Sequence, residues 1–176
     1  LAGYNSEDGY DSSVQHWFGI TTFDYNQSPV LIVKDSLGIN FEKSNSIISD
    51  RDGNLLFFII CVTIHNAWDE VLENGDSLGW SYVFSSFAPG LYKGGVPYNQ
   101  YHIVLPNPMH EELYDYFYAY IDTFGSAVDI AAKKLLRASI NIKAHNNHGA
   151  VLAKDVEVFS HEINIAIAAN KHANGR

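Results

Sequence analysis

The chain has 176 residues and carries 20 acidic against 11 basic side chains, and the resulting charge of −9 argues against a nucleic-acid partner. Hydrophobic residues make up 47% and aromatic residues 14%, which argues against disorder and supplies the core of one ordinary domain. The longest apolar stretch, residues 55–64, is about half of the roughly 20 residues a spanning helix needs, so no membrane span is expected.

The Gly-, Ser-, Asn- and Asp-rich residues 1–13 read as a flexible lead-in. A first strand is expected over 14–25, with Trp17, Phe18, Ile20 and Phe23 as its apolar content, ended by Pro29. A short apolar strand follows over 30–33, then a polar connection over 34–44. Residues 46–49 open a hairpin whose turn, Asp50 to Asn54, has Gly53 for the left-handed position. The return strand, 55–63, is apolar on both faces, as in a strand covered from both sides. A further strand over 64–71 ends in Glu73-Asn74-Gly75-Asp76, a turn in which Asn-Gly supplies positive φ angles.

Residues 77–100 are rich in glycine and aromatics without a period and read as a long surface loop. Strands are then expected over 101–105 and 113–122, separated by Pro106-Asn107-Pro108 and the turn residues His110, Glu111 and Glu112. The Ala, Lys and Leu of 126–136 are compatible with one short helix. Residues 137–144 alternate with period two, 146–149 form a turn, 150–159 the partner strand and 163–169 the last strand. Because 170–176 resemble another turn, the sequence is expected to continue in a longer protein. Leu1 opens the chain without a basic and then apolar leader, so a signal peptide is expected to be absent or already removed.

This succession predicts an all-β fold of antiparallel, four-stranded, blade-like meanders over 14–176, a partial β-propeller of about two blades. Cys61 is the single cysteine and sits in an apolar run, so a buried, inert thiol is expected. Asp50, Asp52 and Asn54 project oxygens from one tight loop, but Gly53 stands fourth rather than sixth and no bidentate glutamate follows. These are weak metal candidates beside a hairpin-turn reading. His145 and His148 have a spacing that would let both reach a Zn²⁺, yet two ligands do not make a closed site, and solvated turn histidines are the plainer reading.

The carboxylate pairs Asp69-Glu70 and Glu111-Glu112 are adjacent in sequence, so on a strand they point to opposite faces and make no ready acid–base couple. No phosphate loop or His-Glu-x-x-His motif is present. Trp80, Tyr82, Phe84, Phe87, Tyr92 and Tyr98 crowd the glycine-rich loop and are the candidate ligand or interface residues, set against a role in covering the sheet edge.

Several segments carry a family resemblance. Trp17-Phe18-Gly19, the run Ser49-Asp50-Arg51-Asp52-Gly53-Asn54-Leu55-Leu56-Phe57-Phe58 followed by Val62-Thr63-Ile64-His65-Asn66 and Val71-Leu72-Glu73-Asn74-Gly75, then Ile103-Val104-Leu105-Pro106-Asn107-Pro108 before Tyr116-Phe117-Tyr118, and Lys171-His172-Ala173-Asn174-Gly175-Arg176 occur in that order. They resemble the propeller-like N-terminal region of Bacteroidetes surface proteins associated with gliding motility and carrying a type B sorting domain for type IX secretion. Ile59-Ile60-Cys61 departs from that family, which has a polar turn there. The resemblance implies an exported, extracellular or cell-surface protein with a non-enzymatic adhesion or scaffolding role. It implies no cofactor, and as partners a protein or glycan at the cell surface and the remaining blades of a longer chain. The alternatives are a propeller-type glycan hydrolase, dependent on Glu111 or Asp69, and a self-contained small β-sandwich binding domain.

Overall fold

Ten residues that are apolar on both faces demand cover from two sides, and the architecture follows from that demand. The computed structural model describes residues 20–24, 27–35, 44–87, 96, 98–124, 129–164 and 166–170; the lead-in of 1–13 lies outside them. The strands are β1 (Ile20–Asp24), β2 (Leu31–Asp35), β3 (Asn45–Ser49), β4 (Leu55–Ile60), β5 (Thr63–Asn66), β6 (His102–Pro106), β7 (Leu113–Phe124), β8 (Asp129–Asn141) and β9 (Ala150–Phe159). They form a two-stranded sheet β1-β2, a three-stranded sheet β3-β4-β5 and a four-stranded sheet β6-β7-β8-β9. Every pairing within them is antiparallel. The chain is all-β, built of meanders in which strands adjacent in sequence are adjacent in space. Among the described residues no helix is long and apolar enough to cross a membrane.

Phe57 to Ile60 of β4 are fully buried, as are Cys61 and Val62 beyond it. The strand expected over 55–63 breaks at Cys61, whose φ of 50° begins a two-residue turn that pairs Ile60 with Thr63. An apolar turn inside the core still has to satisfy its backbone. The Val62 carbonyl accepts the Leu78 N–H at 2.9 Å, and the Ile60 carbonyl accepts the Thr63 hydroxyl at 3.0 Å. The polar turn residues that the apolar segment Ile59-Ile60-Cys61 lacks are thus replaced by a neighbouring segment's amide. Phe57 meets Tyr114 of β7 edge-on, with ring centres 5.1 Å apart, so the two larger sheets share one core.

Of the helix expected over 126–136, residues 126–128 lie outside the described residues, and 129–136 are strand, part of β8. Helix propensity in Ala, Lys and Leu amounts to a few tenths of a kcal/mol per residue, less than a strand gains from pairing with the aromatic β7 and burying one face. Ala132, Leu136, Ala138 and Ile140 are buried at even spacing. The β7–β8 register shifts between Tyr120 and Ile121, which leaves Lys133 as an extra residue. Tyr118 stands opposite Leu136 and Ile121 opposite Ala132, and because Tyr118 and Ile121 are three residues apart on β7 they point to opposite faces, both buried. The strand expected over 163–169 reduces to one isolated bridge, Ile163 to Ala132.

Residues 77–100 are not a surface loop throughout, since Leu78, Val83, Phe84 and Val96 are buried and Val83–Phe87 forms a single π-helical turn. Beneath this turn lie three buried tyrosines, Tyr101, Tyr116 and Tyr118. The last two stack with centres 4.6 Å apart. Tyr118 donates to Asp155 Oδ1 at 2.8 Å and accepts the Asp155 N–H at 3.0 Å, while Asp155 Oδ1 also accepts the Gly79 N–H at 2.7 Å. Asp155 takes a φ of 57° to do so. The Tyr101 and Tyr116 hydroxyls have no hydrogen-bond partner among the described residues, and burial raises both pKa values far above the phenolic range. His102 spans the two sheets, with Nε2 2.7 Å from the Ser46 hydroxyl of β3 and its ring against Tyr116 at 5.4 Å.

Two outcomes follow. Tyr118→Phe removes a paired buried hydroxyl and is expected to cost about 1–2 kcal/mol in denaturant unfolding, whereas Tyr116→Phe removes an unpaired one and is expected to be neutral or stabilising. Equal losses in both variants would refute the difference. Burial lowers the His102 pKa from 6.5 to about 4, against an opposing hydrogen bond to the Asn45 backbone. The unfolded chain therefore binds this proton at a higher pH than the folded chain. The neutral ring's contribution is intact above pH 6.5 and is lost as pH falls towards 4, by up to roughly 3 kcal/mol. His102→Gln is expected to flatten that part of the stability–pH curve, which unfolding midpoints at pH 7 and 4.5 would measure.

Candidate binding site at the Trp68 loop

The segment after β5 carries a dense set of polar residues, and Asn66 organises it. Its side-chain Oδ1 accepts the N–H groups of Trp68 and Glu70, each at 3.0 Å, and its own N–H reaches the Glu70 carbonyl at 2.8 Å. This closes a tight loop in which Asp69 adopts a φ of 64°. His65 anchors the loop from below: Nδ1 lies 3.0 Å from Asp69 Oδ1, Nε2 3.1 Å from Thr63 Oγ1, and its ring stacks on Phe58 at 5.1 Å. At the outer end stands Trp68, 67% exposed.

A second loop braces the first. Between β8 and β9 the four-residue helical turn Ala144–Asn147 contains His145 and Asn146 at non-helical, positive φ, and Asn147 and Gly149 are also positive. The segment 72–79 runs beside the start of β9, with a parallel bridge between Glu73 and Ala150. Val151 N–H donates to the Glu73 carbonyl at 2.8 Å, and Asn74 Nδ2 to the Val151 carbonyl at 3.0 Å. Side chains complete the seam: Glu70 Oε2 takes His148 Nδ1 at 2.9 Å, and Glu73 Oε2 takes His145 Nδ1 at 3.0 Å. The Asn66 amide first, and His148 second, hold the Glu70 carboxyl below the usual carboxylate range. The Trp68 and His148 rings lie 5.8 Å apart. The result is an exposed indole on a pinned loop, flanked by an amide, a carboxylate and an imidazole in fixed positions.

The residues proposed from sequence are dispersed. Asp50 Oδ1 accepts the N–H groups of Asp52 and Asn54, at 2.9 and 2.8 Å, and Oδ2 accepts Asn54 Nδ2 at 2.9 Å. Its oxygens serve the hairpin turn, and these same bonds depress its pKa, with the Asn54 side chain foremost. Among the described residues no group of three His, Cys, Asp or Glu is placed to enclose a metal. Of the aromatic set, Trp80 and Tyr82 are exposed, Phe84 belongs to the core, and Tyr98 is partly buried against it with its hydroxyl 3.4 Å from the Ile130 carbonyl. Tyr92 and the Phe87 side chain lie outside the described residues. Asp69 and Glu70 lie in the loop after β5, which ends at Asn66 rather than continuing over 64–71 as expected, and they turn to different partners, His65 and His148. Cys61 is buried, and desolvation pushes its pKa up to about 12, which suits an inert thiol.

Trp68 carried no marker in the sequence beyond its Asn-x-Trp-Asp-Glu setting, whose meaning depends on Asn66 folding back over it. Comparison with protein-family models, with curated proteins and with solved structures finds no match to the chain.

Gly149 is the hinge of the seam. At its φ of 87° an added Cβ would lie 3.1 Å from Leu72 Cγ. Gly149→Ala is therefore expected to destabilise the chain by about 1–3 kcal/mol through backbone strain and displacement of Leu72. Proteolysis at 144–149 should speed up in parallel, and an unchanged unfolding midpoint would count against this role.

Proposed function

We propose that the chain is a non-enzymatic binding module of an exported cell-surface protein, serving adhesion or scaffolding, with the Trp68 loop as its ligand-binding face. The observation that carries this reading is the exposure of the Trp68 ring on a loop whose backbone is tied down on both sides. A large aromatic left in water costs free energy that a ligand can recover. A pre-ordered loop then loses little entropy on binding.

A glycan suits this face better than a protein partner. The flat indole matches a sugar ring, and Glu70 and His148 border it with hydrogen-bonding groups that would orient hydroxyls, held in place by the buried Asn66. The surface location rests on the order of sequence landmarks that resemble those of the gliding-motility-associated proteins, and the blade-like reading on the four-strand meander β6-β7-β8-β9. Such modules meet their ligand beside further blades of a longer chain, and their binding needs no cofactor.

The test is retention on insoluble cellulose, chitin and peptidoglycan, with the purified chain applied before and after substitution. At least one matrix is expected to retain the protein, and Trp68→Ala should weaken retention by about tenfold or more. Retention unaffected by Trp68→Ala would remove this face from the function, and failure on all three would overturn the glycan reading.

A further inference from the structure

The same seam pairs two histidines with two glutamates, of which His148 and Glu70 also border the proposed sugar face. His145 and His148 lie three residues apart on the outer side of the β8–β9 turn, and each presents a ring nitrogen to a glutamate: Nδ1 of His145 to Glu73 at 3.0 Å, Nδ1 of His148 to Glu70 at 2.9 Å. A carboxylate only accepts, so in each neutral ring Nδ1 bears the proton and Nε2 keeps its lone pair. This carboxylate–imidazole pairing is the outer-shell arrangement that orients and strengthens histidine ligands of transition metals. Both side chains are more than half exposed. Their ring centres are 6.3 Å apart. With metal–nitrogen distances of roughly 2.1 Å, two imidazoles sharing one ion have centres about 5.3 Å apart when tetrahedral and about 6.5 Å when opposite each other, so this separation suits a nearly trans pair on a tetragonal ion.

We propose that His145 and His148 form a two-imidazole surface site for a divalent transition metal of the Ni²⁺ or Cu²⁺ class. Two Nε2 atoms supply the protein ligands, and water fills the remaining positions. Glu70 and Glu73 act as positioning residues through Nδ1. The backbone supports the assignment: His145, Asn146 and Asn147 all hold positive φ, a costly conformation that places His145 and His148 against the two glutamates. Imidazole donors select this class over Ca²⁺ and Mg²⁺, which take oxygen ligands.

Trp68 supplies an internal reporter, since its ring lies 5.8 Å from that of His148. The experiment titrates the whole chain with Cu²⁺ and Ni²⁺, reading heat of binding and tryptophan fluorescence together. One equivalent is expected to bind with quenching. His148→Ala, or His145→Asn, which tolerates the positive φ, should abolish that equivalent while circular dichroism stays unchanged. Glu70→Gln should weaken it by roughly tenfold. Trp68→Phe should remove most of the quenching and leave the heat intact, which separates this site from the glycan face: loss of sugar binding in Trp68→Phe with metal binding retained shows two independent properties. Binding that persists in His145→Asn/His148→Ala would belong to other histidines and overturn the proposal, as would the absence of any heat with wild-type protein.

Discussion

The burial of β4 on both faces is the constraint on which the rest depends. A strand with Phe57, Phe58, Ile59 and Ile60 at successive positions leaves no side for water. Some element must lie on each face, and the chain supplies the tyrosine-bearing face of the four-stranded sheet together with residues 72–87. Even the turn leaving β4 is drawn inside. Cys61 and Val62 stay dry because Leu78 delivers its amide to the Val62 carbonyl, so a segment sixteen positions along the chain completes a two-residue turn.

That same segment carries the consequence outward to the surface. Once Leu72 and Leu78 are buried, the residues between them are held beside β9, where Glu73 bridges Ala150 and Asp155 joins Gly79 to Tyr118. The polar seam at the rim is therefore positioned by apolar burial beneath it. Asn66, Glu70, His145 and His148 stand where the core places them, and the positive φ angles at Asp69, His145, Asn146 and Asn147 are sustained because so many bonds converge there. Trp68 is exposed as a result: the loop below it is committed to its own hydrogen bonds, and the ring stands beside that of His148.

Strand identity was readable wherever the local pattern was strong. The 50–54 turn, the partner strand 150–159 and the aromatic strand beginning at Leu113 stand where turn chemistry and side-chain type placed them. Residues 129–136 misled because their composition favours helix weakly, while the pairing that overrides it lies with Tyr118 and Ile121, whose register no local window contains. The break at Cys61 was hidden for a similar reason, since an apolar turn has no Gly or Asn to announce it. The candidate site was less legible still. His145, His148, Asp69 and Glu70 were each noticeable as residue types, but Glu70 and His148 are 78 positions apart.

What the sequence determined by itself is the class of fold: abundant aromatic and branched residues, polar turn signals and an apolar run too short to span a bilayer lead to an antiparallel all-β chain. Only the tertiary structure decided which aromatics face water, which histidines meet which glutamates, and that Phe84 is core while Trp68 is surface. The reason is physical. Turns and strand preference arise from a residue and its near neighbours, whereas exposure and ion pairing depend on which distant segments the shared core brings alongside one another.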